Sequence, residues 1–343
     1  MIAAPDFARL SALIAGFAGR RVVVLGDPVL DVYVYGTTHR ISREAPVLIV
    51  REDARETRLG GAANAAANLA ALGASARFVG LIGDDEGADT LAELLQARGI
   101  GGEHLLRAPA RRTVTKTRIL AGGVHTTKQQ MIRLDREDTH PPSEADRDNL
   151  EAAARAAIAG AEALVVSDYG EGHLSNLYAA LARDAAAQGK VVVVDSRFRL
   201  DAYRGVTAVT PNAPEAAALL GAAVDAPSEA ARGASRLLKE LDLKAVLLTR
   251  GREGMAIAAR DQSTVLLDAH GHKEAVDVTG AGDTVTAAFT LGLTAGGAVI
   301  DSAILANCAG GVVVQKLGAV TLSAADLAES ARSVDPTSLH EAP

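Results

Sequence analysis

Residues 163–195 read ALVVSDYGEGHLSNLYAALARDAAAQGKVVVVD, and this stretch decides the fold class. Two short Val-rich runs, ALVVSD and KVVVVD, flank LYAALARDAAAQG, a run of strong helix formers that ends at a glycine. Near-continuous aliphatic runs suit strands buried on both faces, and a helical crossover between them makes the pair parallel. The same texture recurs outward from this unit. RVVVLGD (residues 21–27), RFVGLIG (77–83), VTAVTPN (206–212) and AVLLTRG (245–251) read as further strands of one α/β sheet. Several of them end in Asp, Asn or Gly, at the edge where open parallel sheets place ligands.

A second texture is alternating and more polar. DVYVYG (31–36), APVLIV (45–50), TVTKTRIL (113–120) and QQMIRL (129–134) read as half-exposed strands, the last two joined by AGGVHTTK. They fall in two insertions, about 31–50 and 113–134, and are expected to form a small β-sheet lid over the ligand edge. Such a sheet invites pairing with a second copy, which makes a homodimer through the lid the expected assembly. The expected organisation is one domain over residues 1–332 and a loose polar tail over 333–343.

Composition narrows the function. The 343 residues are 48% hydrophobic and 22% charged, with a formal net charge of −7. That balance fits a soluble protein with a sizeable core and speaks against nucleic-acid and membrane partners. Trp is absent and aromatic residues are 3%, so base stacking is not a theme. The lone cysteine, Cys308, excludes a disulfide framework within the chain and reads as a small core residue. The N-terminus reads as a short amphipathic helix, not a signal peptide, and no run nears the roughly 20 apolar residues of a membrane span. A cytoplasmic protein is expected. The eight histidines lack metal-ligand spacing, and His39, His125 and His173 read as surface or loop residues.

Three motifs carry chemistry. In DVTGAGDT (277–284), Gly280 and Gly282 allow a tight turn, and DTVTAAFTLGL reads as the helix that follows. Backbone amides at a helix start form an anion hole suited to a transferring phosphoryl group, and Asp283 would be the base that takes a hydroxyl proton. Equally, Asp283 could be an ordinary N-cap. In RLGGAANAAANLAALGA (58–74), Gly60 and Gly61 permit close ligand approach and Asn64 could bond hydroxyls; a plain turn and cap fit as well. In TPNAPE (210–215), Asn212 and Glu215 suit a water-mediated grip on Mg²⁺ and phosphate, or a simple capping box. There is no P-loop, no G-x-G-x-x-G after the first strand, no HExxH and no G-x-S-x-G.

Taken together and in order, GDPVLD, GGAANAAANLAALG, TPNAPE, TRGREG, DVTGAGDT and NCAGGVVVQKLGAV resemble the ribokinase-like (PfkB) carbohydrate kinases, over about residues 21–327. Within that family, DVYVYGTTHRISREAPVLIV, TKTRIL with QQMIRLDRED, and SDYGEG look closest to heptose 7-phosphate kinases of ADP-heptose synthesis, which feeds lipopolysaccharide. The resemblance implies a mostly parallel sheet flanked by helices with a β lid, ATP and Mg²⁺ as cofactors, and a small sugar phosphate as substrate. It makes Asp283 the base and the backbone of Gly280, Ala281 and Gly282 the anion hole. Asp31, Gly61 and Asn64 would hold sugar hydroxyls, with Asp168 a further contact. Asn212 and Glu215 would lie near Mg²⁺ and the ATP phosphates. Thr249, Gly251 and Gly254 match the nucleotide loop, and Asn307 the adenine pocket. A monovalent cation such as K⁺ would recruit Asp277 and backbone near Gly318.

Three departures bear on the substrate. Glu171 stands where the heptose kinases carry Lys, Ser196-Arg197 replaces Pro-Lys, and Arg43 replaces a lid Pro. Lys116, Arg118 and Arg133 on the lid strands remain available to meet a sugar phosphate. Any linked nucleotidyltransferase step is expected of another protein. The alternatives are a kinase of another sugar or of a nucleoside, and a catalytically silent binding protein on the same fold. An intact Asp283 and glycine turn speak against the last.

Overall fold

The computed structural model describes residues 5–342 except 124, 125, 127, 139, 171, 172 and 272–274, and leaves the side chain of His39 undescribed. His125 and Glu171 therefore lie outside the described residues. In chain order, the strands of the first half are β1 (Arg21–Gly26), β2 (Pro28–Ile41), β3 (Leu48–Gly61), β4 (Ser75–Ile82), β5 (Gly101–Arg107), β6 (Thr115–Gly122) and β7 (Gln129–Arg136). Those of the second half are β8 (Ala163–Asp168), β9 (Val191–Ser196), β10 (Ala208–Val209), β11 (Ala245–Thr249), β12 (Met255–Ala259), β13 (Val265–Leu267) and β14 (Leu339–Glu341). The helices are α1 (Phe7–Ala15), α2 (Ala62–Ala71), α3 (Glu86–Gln96), α4 (Glu144–Ala159), α5 (Ser175–Ala187), α6 (Ala213–Leu220), α7 (Pro227–Glu240), α8 (Ala281–Thr294), α9 (Val299–Val313) and α10 (Ala324–Ala331).

Strand β1 shows why the large sheet is buried on both sides. Val22 and Val24 pack into the core under α1, α2, α8 and α9, while Val23 and Leu25 pack into the opposite core under α4, α5 and α7. The spatial order is β14-β13-β12-β11-β10-β9-β8-β1-β4-β5. From β5 to β11 every pair is parallel, and β11 to β14 are antiparallel. This is the expected mostly parallel sheet flanked by helices, with an antiparallel edge that the strand texture did not foretell. The tail corrects its expectation: Leu339–Glu341 pairs with β13 and extends that edge instead of hanging loose. No helix among the described residues is long and apolar enough to cross a membrane.

The chain leaves β1 for β4 on one side and reaches β8 on the other, so the sheet order reverses at β1. Ligand crevices form at such points, beyond the carboxyl ends of the strands. Asp27, Asp168, Asp195, Asn212 and Thr249 all stand at or just past those ends.

The second sheet has the order β3-β2-β6-β7, built from the two insertions read as a lid. Strands β2, β3 and β7 are longer than expected. β2 and β3 pair antiparallel from Pro28↔Gly61 out to Ile41↔Leu48, so one hairpin runs from the crevice into the lid. That continuity sets Asp31 and Gly60 at the lid's root, beside the ligand edge.

Candidate active site

Beyond the strand ends lies a cavity of about 680 Å³ whose lining includes Asp31, Gly60, Gly61, Asn64, Asp168, Asn212, Glu215, Thr249, Gly280, Gly282 and Asp283. Residues separated by more than 250 positions thus meet in one place. Each is set there by a nameable local cause.

Helix α8 begins just after Gly280, which has φ of +76° and whose absent Cβ would lie 2.5 Å from Asn64 Nδ2. Only glycine takes that conformation without strain, so the turn and the Asn64 contact require each other. Asp283 sits in the first turn of α8 but makes no cap, since the N-cap is Gly280. Instead its Oδ2 accepts from Asn64 Nδ2 at 2.7 Å and its Oδ1 from the Tyr169 hydroxyl at 3.2 Å. The capping reading of Asp283 is thereby excluded. Burial pushes the Asp283 carboxyl up to about 7, against the hydrogen bonds from Asn64 and Tyr169, with the charge of Asp31 adding to the rise. A carboxyl near neutrality inside a cavity is suited to proton abstraction.

The amides of the glycine turn divide. Ala281 donates to the Val278 carbonyl at 3.2 Å and does not line the cavity. Gly280 and Gly282 do, and the first-turn N–H groups of an α-helix have no carbonyl partner of their own. A helix start that opens into a cavity in this way suits an anion.

Asn64 is nearly inaccessible and lies in the first turn of α2. A directed chain fixes its amide: Thr284 Oγ1 donates to Asn68 Oδ1 (2.9 Å), Asn68 Nδ2 to Asn64 Oδ1 (3.3 Å), and Asn64 Nδ2 to Asp283. The chain leaves α8, passes through α2 and returns to α8 one residue away.

Asp31 is buried and forms an ion pair with Arg118 Nη1 at 2.5 Å, across the parallel β2–β6 pair. Arg118 and Arg58 both lie over the Tyr33 ring. Gly60 is required there, because a Cβ would come within 2.4 Å of Asp31 Oδ2. Lys116 pairs with Glu137 at 3.4 Å, and Arg133 with Asp135 at 2.9 Å. All three lid cations face the cavity, each with a carboxylate partner.

Asp168 reaches the cavity wall, yet its Oδ2 accepts from Ser175 (2.7 Å), Ser196 (3.0 Å) and Tyr203 (2.7 Å). It ties β8, β9 and α5 together under the floor. Ser196, where Pro was expected, is one of those donors, and Arg197 lines the cavity.

Asn212 and Glu215 form a complete capping box at the start of α6: Glu215 N–H to Asn212 Oδ1 at 2.9 Å, and Asn212 N–H to Glu215 Oε2 at 3.0 Å. Both also line the cavity, and burial raises the Glu215 carboxyl. The two readings of TPNAPE are therefore compatible. No group of three or more His, Cys, Asp or Glu among the described residues could hold a metal.

At the far end Thr249 lines the cavity, whereas Gly251, Gly254 and Asn307 stand outside its lining. Asn307 donates to the Asp268 carbonyl at 2.7 Å and joins α9 to the loop after β13. Asp277 accepts from the Thr279 hydroxyl (2.7 Å) and amide (2.9 Å) and from the Gly318 amide (2.8 Å). Burial opposes its ionisation, but these bonds together with Arg118 outweigh that and hold its carboxyl below the ordinary range. Sequence reasoning missed Tyr169, Asp195 and Arg111, which also line the cavity. Asp195 was signalled by its place at the end of VVVVD, and Tyr169 by its place in SDYGEG.

A doubly covered, mostly parallel sheet with a β lid over its carboxyl edge is the ribokinase-like fold. Solved structures agree: Escherichia coli phosphofructokinase-2 in complex with substrates and products superposes with a TM-score of 0.73 at 20% identity, covering 92% of this chain and 99% of that one. Arabidopsis thaliana ribokinase complexed with ribose and ATP gives 0.71 at 19% identity, with the same coverage.

The pfkB family carbohydrate kinase profile matches residues 20–326, so the chain belongs to that family and is an ATP-dependent sugar kinase. Among curated relatives, the bifunctional protein HldE of Halorhodospira halophila is 45% identical over 315 residues, which is 91% of this chain and 63% of the relative. HldE of Caulobacter vibrioides is 43% identical over 328 residues, 94% of this chain and 66% of the relative. The chain thus spans just under two thirds of the relatives it matches.

Proposed function

We propose that the chain phosphorylates O1 of D-glycero-D-manno-heptose 7-phosphate with ATP, a step toward ADP-heptose and lipopolysaccharide. The observation that carries the reading is Asp283, a buried carboxyl at about 7, held by Asn64 at the glycine-turned start of α8. The identity to HldE proteins and the heptose-kinase features of the lid strands support the choice of sugar.

In this mechanism the sugar sits between Asp31, Asn64, Gly60 and Gly61, with Asp168 bracing the floor. Asp283 takes the O1 proton as the oxygen attacks the γ-phosphate. The helix start at Gly280 and Gly282, with Ala281 holding the turn, receives the negative charge that develops on the phosphoryl group. Bound Mg²⁺ supplies further charge neutralisation on the phosphates, and Asn212 and Glu215 would hold it through water. Thr249 contacts the nucleotide, while Gly251, Gly254 and Asn307 shape the edge beside it. Lys116, Arg118 and Arg133 reach the sugar's phosphate by exchanging or sharing their carboxylate partners. Asp277, kept ionised, favours a K⁺ ion beside the anion site.

We extend the proposal to a cytoplasmic homodimer joined through the lid. The lid exposes Ile41, Leu48, Ile49, Met131, Ile132 and Leu134, an apolar set that suits burial against a second copy. Sedimentation should then give a dimer that Ile132→Asp converts to monomer.

The deciding test is coupled ADP release with heptose 7-phosphate, fructose phosphates, ribose and adenosine. Preferred turnover of heptose 7-phosphate is expected; turnover confined to a nucleoside overturns the assignment.

A further inference from the structure

Tyr169 stands between two carboxylates. Its hydroxyl is 3.0 Å from Asp195 Oδ2 and 3.2 Å from Asp283 Oδ1. A phenol carries one proton and can donate it to only one of them. With both carboxylates ionised, the other contact sets lone pair against lone pair in a site with little water. One additional proton resolves this: a protonated Asp283 donates to the phenol oxygen while the phenol donates to Asp195.

We propose that Tyr169 and Asp195 form a proton relay behind Asp283, accepting the proton that Asp283 takes from the substrate hydroxyl. The inference rests on the reading of Asp283 as the base. In the step, the substrate O–H bond breaks and an O–P bond forms. The bond from the γ-phosphorus to its bridging oxygen breaks, and that electron pair leaves with ADP. The proton passes to Asp283 Oδ1, which shares it with the Tyr169 oxygen, and the phenolic proton moves to Asp195 Oδ2. The unit gains one proton, its charge going from −2 to −1. Asp195, which lines the cavity, returns the proton to water when products leave.

The surroundings favour this unit. Burial raises both carboxyls, Asp195 well above the ordinary range, and Glu215, Asp283 and Asp168 add to its rise. Asp283 is faced by Asn64 from α2 and by Asp31 with its partner Arg118 from the lid. The main chain at Tyr169 is fixed as well. Asp27 Oδ2 accepts from the amides of Tyr169 (3.1 Å) and Gly170 (2.7 Å), and its Oδ1 from the Tyr178 hydroxyl (3.2 Å). The Asp27 carboxylate thus holds the start of the loop that carries the phenol and ties it to α5. Tyr169 and Asp195 are accordingly positioning residues, acting through Asp283.

The test compares Tyr169→Phe, Asp195→Asn and the double variant, with Asp283→Asn alongside. Tyr169→Phe removes the phenol that lets the two carboxyls hold one proton without a lone-pair clash, so the acid limb of its kcat profile should move to lower pH. Asp195→Asn removes a neighbouring negative charge, so its limb should move to lower pH. Each should lower kcat by roughly tenfold, less than the roughly 100-fold or more a direct acid–base group contributes, with KM held within about twofold. The double variant should be no slower than the worse single. Without substrate, NMR of ¹³Cγ-labelled aspartate should show two coupled titrations in the wild type and independent ones in Tyr169→Phe. An unshifted profile in Tyr169→Phe, a limb moving to higher pH in that variant, or an Asp195→Asn effect confined to Mg²⁺ half-saturation overturns the relay. An active Asp283→Asn overturns the base itself, a separate outcome.

Discussion

Asn64 and Asp283, 219 positions apart in the chain, are joined by a buried hydrogen bond of 2.7 Å between the first turns of α2 and α8. The amide donates and the carboxylate accepts, an orientation imposed by Asn68 and Thr284 behind it. Removing the amide takes away a bond that favours the charged form. Asn64→Leu should therefore raise the Asp283 pKa further and shift the acid limb of activity upward. Loss of a buried bond to a charged group should also cost about 1–3 kcal/mol in urea unfolding. An unchanged pH profile would show that the amide does not tune the carboxylate.

The Asp283 pKa of about 7 sets the expected pH dependence. The base works ionised, so kcat/KM should rise with pH, bend near 7 and then level. Below pH 6 it should fall about tenfold per unit. Initial rates in buffers of constant ionic strength measure this directly.

The same value has a stability consequence of the opposite sign. Folding raises this carboxyl above its unfolded value near 3.8, so the folded state is penalised where the group must ionise. Stability should increase as pH falls from about 7 toward 4. Asp283→Asn, neutral throughout, should abolish phosphoryl transfer while ATP still binds, and should melt no lower than wild type at pH 8. Calorimetric titration with ATP and thermal melts at both pH values separate these effects.

The Asp31–Arg118 pair at the root of the lid joins a buried carboxylate to a part-buried guanidinium. Arg118→Met leaves the buried Asp31 carboxylate without its partner, which should cost about 1–3 kcal/mol of stability. With Asp31 no longer held, KM for the sugar should rise with little change in KM for ATP. Equal changes in both would indicate a general loosening instead.

Asn212 and Glu215 serve a cap and line the cavity together. Glu215→Gln keeps an acceptor for the Asn212 amide and removes only the charge. It should leave the melting temperature within a degree or two of wild type and raise the Mg²⁺ concentration for half-maximal rate. Asn212→Ala should cost about 1 kcal/mol of stability through the lost cap. If Glu215→Gln needs no additional Mg²⁺, the pair is a cap alone.

The local patterns in this chain were enough for the parallel sheet, both lid insertions and the helices that follow the glycine turns. Val-rich runs, alternation and glycine stops act over a few residues, and these elements are governed at that range. The edge was less legible. β10 is two residues long, and β14 lies in a polar segment whose pairing with β13 is a matter of tertiary contact.

At the site, sequence alone determined that Asp283 follows a glycine turn at a helix start, and that Asn212 and Glu215 have capping spacing. Only the tertiary structure decided that Asp283 is no cap, because its partners arrive from α2 and from the loop after β8. It also decided that Lys116, Arg118 and Arg133 face the cavity already paired, and that Asp168 braces the floor. The physical reason is common to all of these. Burial and charge pairing fix what a carboxylate or an amide does, and both depend on groups brought together across hundreds of residues.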